Sequence, residues 1–290
     1  MDQGVLAPLL LAALALTALA WPLAGPLRRR WRRARLARQP FPAAWRAILR
    51  RRVPLVQGLP ADQRLRLQKL VQRFVAEVPF IGCAGQVVDD DVRVTIAAQA
   101  CLLLLGRGGG FDGLREVLVY PGAFAVDRVH AGAAGVQHER REVLAGEAHG
   151  RGTVVLSWQD ALAGAADAGD GRNVVIHEFA HRLDQDHGPA NGAPWLGPKQ
   201  DYAQWSRVLG AEFAALRARA EEAEDGAGGE AGDGESGPGL IPAYGATDAA
   251  EFFAVVSEVF FERGADLQRE HAALYEQLRR VYRVDPAAWT

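Results

Sequence analysis

The sequence predicts an α+β fold preceded by one N-terminal transmembrane helix. Three observations predict it. Apolar residues recur at helical spacing in residues 63–76, 91–106, 173–184 and 248–281. Short β-type runs, VLVY and TVVLSW, lie at 117–120 and 153–158. Residues 5–27 form a 23-residue stretch without a charge, and a helix of about 20 apolar residues spans a bilayer. The expected architecture is a helical layer, a small mixed sheet from residues 117–158, and the 173–184 helix packed beneath that sheet. Residues 1–40 are then an anchor with a basic flank, and residues 41–290 the folded domain.

The anchor is read from its flanks. A cleaved signal peptide carries positive charge before its apolar run. Here only Asp2 precedes the run, while Arg28, Arg29, Arg30, Arg32, Arg33 and Arg35 follow it. Basic flanks stay on the cytoplasmic side. The expected location is therefore the inner membrane, single-pass, with the rest of the chain in the cytoplasm; a purely cytoplasmic chain is the alternative. Residues 28–52 hold eleven arginines and no acid. Beside an apolar span, anionic lipid headgroups account for them more simply than nucleic acid does. The net charge of −2 adds no bias towards nucleic acid, and none is expected as a partner.

Residues 63–76, QRLRLQKLVQRFVA, place Leu65, Leu67, Leu70, Val71 and Phe74 near helical spacing. The stretch 96–105 is apolar nearly all round, so the second helix should be buried. Residues 221–235 hold seven acids and no base. Rich in glycine and with little to bury, residues 221–239 are expected to be a disordered loop. The two cysteines, Cys83 and Cys101, make neither a disulfide framework nor a CxxC metal pair. Both sit among apolar neighbours and are expected to be small buried side chains in a reducing compartment.

The chemistry concentrates in NVVIHEFAHRLD, residues 173–184. Its core is HExxH: His177, Glu178 and His181. Residues four apart lie one above the other on a helix, so both imidazoles can face one ion. Glu178 projects to the side, where a water would sit. Catalytic zinc takes three protein ligands and leaves one position for water, whose acidity the metal raises so that a carboxylate can take its proton. With 7 histidines in 290 residues, chance gives about 0.01 occurrences of HExxH. The alternative is a pair of core histidines held by hydrogen bonds alone. Val174, Val175, Ile176, Phe179, Ala180 and Leu183 bury the helix, and buried polar groups need partners. A metal supplies them.

A third ligand must come from elsewhere. The pattern HExxHxxGxxH is absent: His187 lies six residues after His181, but Asp184 stands where a turn-forming glycine is needed. A glutamate on a later helix is the better source. Glu251 opens the apolar run EFFAVVSEVFFE, and Glu258 follows seven residues on, on the same face. Glu258 is either an alternative ligand or a group that fixes a histidine tautomer. Asp184 shares a face with both histidines and is a further candidate for that supporting role; for Glu258 and Asp184 alike a plain surface salt bridge is the other reading.

HEFAHRLD at 177–184, YGATDAAEFFAVVSEVFF at 244–261, VLVYPGAF at 117–124, GTVVLSWQDAL at 152–162 and LYEQLRRVYRVDP at 274–286 together resemble the Mlc titration factor A family of bacterial metallopeptidases. The catalytic-domain plan of that family is similar to that of anthrax lethal factor. The resemblance covers most of residues 45–286. It implies a zincin-like (gluzincin) metallopeptidase domain with one Zn2+ per chain. His177, His181 and Glu251 fall on the family's ligand positions, Glu178 on its general base, and Tyr244 on a tyrosine facing the site. A phenol there can donate to a developing oxyanion; a core tyrosine at a helix start is the other reading of Tyr244. The implied activity is zinc-dependent hydrolysis of a peptide or protein substrate. The implied partner is a transcriptional regulator, because the family takes its name from binding the repressor Mlc. The rival function is a membrane-anchored binding protein that sequesters a regulator, its zinc structural or vestigial. The intact Glu178 argues against that rival, since a structural site needs no base. Better-known members lack the apolar leader, and the acidic stretch 221–239 reads as an insertion. Residues 152–158 are expected to form an edge strand along which an extended peptide lies.

Overall fold

A computed structural model of the chain describes residues 31–289 apart from 32, 37, 132–136, 145, 150–151, 198–200 and 227–238. Two compact units divide at Phe41. In the first, Met1–Phe41, residues 33–36 are helical. The apolar stretch 5–27, expected to be a membrane span, lies outside the described residues. Among the described residues no helix is long and apolar enough to cross a membrane.

The second unit, Pro42–Thr290, begins with α1 (Ala43–Arg52) and α2 (Ala61–Glu77). On α2, Leu67, Val71 and Phe74 are buried at spacings of four and three, as the apolar pattern requires. Leu65 points out, 64% exposed. Strand β1 (Phe80–Gly82) leads to α3 (Asp90–Leu102), whose N-cap Asp89 accepts a hydrogen bond from Val92 N. Residues 94–102 of α3 are all buried, so this helix is enclosed on every side, as its composition predicts. Its one long polar side chain there, Gln99, donates to Thr95 O and Ala161 O.

The sheet is built from β1, β2 (Glu116–Tyr120), β5 (Gly146–His149) and β6 (Thr153–Ser157), in the order β1-β2-β6-β5. β1 and β2 are parallel, β2 and β6 are parallel, and β5 is antiparallel to β6. The backbones of β3 (Phe124–Ala131) and β4 (Gln137–Leu144) pair as a separate antiparallel ribbon. The edge-strand expectation is overturned here. Residues 153–156 pair on both sides, with β2 and with β5, so β6 is an interior strand.

Ser157 caps α4 (Trp158–Ala166) by accepting from Asp160 N. Next come α5 (Val174–Asp184), α6 (Tyr202–Gly226), α7 (Ala249–Glu262), α8 (Gly264–Glu270) and α9 (Ala272–Tyr282). The region read as one helical stretch over 248–281 is thus three helices, broken at Arg263 and His271. The acidic stretch also departs from expectation: residues 221–226 continue α6, and 227–238 lie outside the described residues. Cys101 is buried as expected. Cys83 is not, being partly exposed; both thiols are free.

The helix that carries HExxH packs against β5 and β6 on one side and α7 on another. Phe179, fully buried, fixes its apolar face. Its ring meets Phe74 at 5.6 Å and Phe111 at 4.6 Å between centroids. Phe253, Phe260, Phe261, Tyr275 and Tyr282 form a second aromatic cluster beneath α7. The first cluster seats α5 and the second seats α7, and the two helices pack directly on each other with the site between them.

Candidate metal centre

Asn173 starts the site. Its backbone is extended, and its side-chain oxygen accepts from Ile176 N at 3.0 Å, so α5 begins one residue later. From that start, His177 and His181 fall on one face. Asp248 caps α7 in the same way, accepting from Ala250 N and Glu251 N, and so sets Glu251 on the first turn.

The three expected donors converge. His177 Nε2 lies 3.1 Å from His181 Nε2 and 3.1 Å from Glu251 Oε2, and His181 Nε2 lies 3.3 Å from Glu251 Oε1. One ligand atom from each residue fits within 4.8 Å of the others, and this is the one such His/Cys/Asp/Glu group among the described residues. Glu258 meets the far edge of the same ring: His177 Nδ1 faces Glu258 Oε1 at 2.8 Å. Glu258 thus lies at the Nδ1 edge of His177, and Glu251 at the edge where the two histidines converge. A carboxylate at Nδ1 holds the imidazole proton there and leaves Nε2 as a bare donor.

The electrostatics of the protein groups follow from these contacts. Burial pushes the pKa of His177 down, but hydrogen bonds to Glu251 and Glu258 outweigh it, and the net shift is well upward. Burial pushes Glu251 up; the two histidines overcome it and hold the carboxyl far below its usual range. Two imidazole nitrogens 3.1 Å apart beside a carboxylate need a proton or a cation between them, because bare lone pairs repel. The donor set therefore fits a metal ion.

Glu178 is buried, 5% exposed, and its charge acts on His177. Tyr244 lies in the 3-10 turn Ala243–Ala246, its ring centroid 6.1 Å from that of His177. It is 58% exposed, so it is not a core tyrosine. Asp184 does not join the histidines through any of its resolved bonds. Its carboxylate accepts from the backbone nitrogens of Asn191, Gly192 and Ala193, which ties down the loop after α5. His187 stays out of the cluster and stacks on Trp195 at 5.8 Å. The sequence reading missed Glu262, whose Oε1 accepts from Asn173 Nδ2 at 2.9 Å. Its place eleven residues after Glu251, on the same helical face, is the signal that was available.

An HExxH helix whose donor triangle is closed by a glutamate from a later helix defines the class: a metallopeptidase-type domain. The chain belongs to the glucose-regulated metallo-peptidase M90 family, which matches it over residues 28–283. Among its relatives, an uncharacterized protein of Synechocystis sp. is 39% identical over 258 residues, covering 88% of this chain and 89% of the relative. Mlc titration factor A of Salmonella gallinarum is 35% identical over 237 residues, covering 81% of this chain and 84% of the relative. Mlc titration factor A of Salmonella agona matches with the same identity and coverage. The resemblance read from the five motifs is thereby established.

Proposed function

We propose that this protein is a zinc-dependent peptidase with Glu178 as its general base. The donor triangle carries the proposal. Zinc bonds of about 2.0–2.2 Å at tetrahedral angles separate donor atoms by about 3.3–3.6 Å; the two histidine nitrogens lie 3.1 Å apart, and Glu251 meets one through Oε2 at 3.1 Å and the other through Oε1 at 3.3 Å. His177, His181 and Glu251 would hold the ion. When bound, zinc supplies Lewis acidity towards a water and a peptide carbonyl. Glu258 keeps the His177 proton on Nδ1 so that Nε2 stays a donor. Glu178 takes a proton from the attacking water and passes it to the leaving amine. The Tyr244 hydroxyl donates a hydrogen bond to the carbonyl oxygen as charge builds there. The test is metal content: protein never exposed to chelator should carry about one zinc per chain, and zinc no higher than background would sink the reading.

Residues 5–27 hold this domain at the inner membrane, with the arginine-rich flank and the site on the cytoplasmic side. The supports are the length of the uncharged run and the position of the six following arginines.

A second reading draws on the relatives' name, Mlc titration factor A. In it the chain binds a transcriptional regulator and sequesters it, the zinc serving structure alone. Buried Glu178, beside two histidines, favours the peptidase.

A further inference from the structure

Behind the donor triangle, acidic side chains continue along α7. Glu251 faces His177 and His181, Glu258 faces His177 and Asn173, and Glu262 faces Asn173. All three lines of contact end on α5 or on the residue that caps it, and the last two meet at that residue. Asn173 N donates to Glu258 Oε2 at 2.5 Å. Asn173 Oδ1 accepts from Ile176 N at 3.0 Å, while Nδ2 donates to Glu262 Oε1 at 2.9 Å and to Gly164 O at 3.2 Å. Every polar function of the side chain is therefore engaged, on α5, α7 and α4 at once. The residue is 2% exposed. Gly164 permits this approach: a Cβ there would fall 3.0 Å from Asn173 Cα and 3.1 Å from Arg172 O.

We propose that Asn173 is a positioning residue of the metal centre, which aims Glu258 at His177 Nδ1 and so sets the orientation of a metal-binding imidazole. Its side chain locks its backbone between three helices. The locked N–H grips one oxygen of Glu258, which leaves the other oxygen directed at the imidazole. Glu262 is the outer anchor. Burial, with Asp170, Glu258 and Asp167 nearby, raises its carboxyl to about 8 against the pull of Asn173, so at neutral pH it is protonated and brings no second anion beside Glu258.

This inference rests on the zinc reading, and the experiment separates the two. Zinc affinity of the full chain is measured by chelator competition for the parent, Asn173→Ser, Glu258→Gln and the double variant. Serine still caps a helix but cannot donate to Glu262 or Gly164. Asn173→Ser should weaken zinc binding by about 10–100-fold, the usual effect of losing a group that supports a ligand. The double variant should bind scarcely more weakly than Glu258→Gln alone, because residues acting through one path are not additive. The thermal midpoint of each metal-free variant checks that it is folded. If Asn173→Ser does not fold, Glu262→Ala is used in its place under the same criteria, with Glu262→Gln, which keeps an acceptor for Asn173, expected to recover most of the loss. Parent affinity in Asn173→Ser, or losses that multiply in the double variant, would overturn the role of Asn173. A parent that binds no zinc would instead overturn the metal reading beneath it.

Discussion

Glu251 and Glu258 reach opposite edges of the same imidazole, and the edge decides the role. Glu251 meets Nε2, where both histidines converge; Glu258 meets Nδ1, the edge at which a carboxylate can accept the ring proton. Removing Glu251 deletes a donor atom, whereas removing Glu258 frees a ring that still carries its donor. Glu251→Ala should therefore lose more zinc affinity than Glu258→Ala, for which about 10–100-fold is expected. Chelator competition on the two variants checks the order, and the reverse order would mean that the glutamates exchange roles. The HExxH residues were legible in the sequence because their spacing is local. The choice between Glu251 and Glu258 was not, since both lie on one face of an apolar helix and only packing against α5 separates them. Asp184 shows the same limit: its carboxylate serves three backbone nitrogens of residues 191–193, a loop contact that no helical periodicity encodes.

At the scale of elements, α7 is apolar except for a line of glutamates, and that line has an energetic consequence. Glu262 ionises near 8 in the fold against about 4.5 unfolded. A raised carboxyl means that the folded state binds the extra proton between those values. Its contribution to stability is full below about pH 4.5 and is lost as pH rises through about 8. Glu262→Gln removes this dependence. Relative to the parent, the variant should gain stability as pH rises from 5 to 8, by up to about 1.4 kcal/mol per pH unit. Urea midpoints of the metal-free proteins at pH 5 and pH 8 measure it; a constant difference would show that Glu262 is ionised throughout. Two element-level expectations failed for identifiable reasons. Residues 153–156 are interior because GEAH, residues 146–149, pairs with them, although it holds no β-branched or aromatic residue to mark it as a strand. Residues 221–226 are helical because glutamate and alanine favour helix once α6 is under way, whatever their acidity says about burial. The buried α3 and the helix over 174–184 were legible because their apolar residues cover the faces that the fold encloses.

For the whole molecule, the organising relation is between α5 and α7. As α7 runs from Glu251 to Glu262, its partners run back from His181 on α5 to Asn173 at its N-cap, so the helices are antiparallel and the donor cluster sits near one end of their contact. No local pattern shows this; the two helices are 64 residues apart in the chain from Asp184 to Asp248, and the contacts of Glu251, Glu258 and Glu262 with His177, His181 and Asn173 join them. The proposed anchor is a second matter at this scale. The full-length chain should sediment with membranes and resist a high-salt wash, and a C-terminal reporter active only in the cytoplasm should give signal. Signal from a periplasm-only reporter would reverse the topology, and recovery in the soluble fraction would remove the anchor. The peptidase assignment is tested most directly by turnover of an unbiased peptide library. The full-length protein should cleave it, lose cleavage with chelator, regain it when zinc is restored, and be slowed about 10²–10⁴-fold by Glu178→Gln. Cleavage that survives both chelator and Glu178→Gln, or no cleavage by zinc-loaded protein, would contradict it.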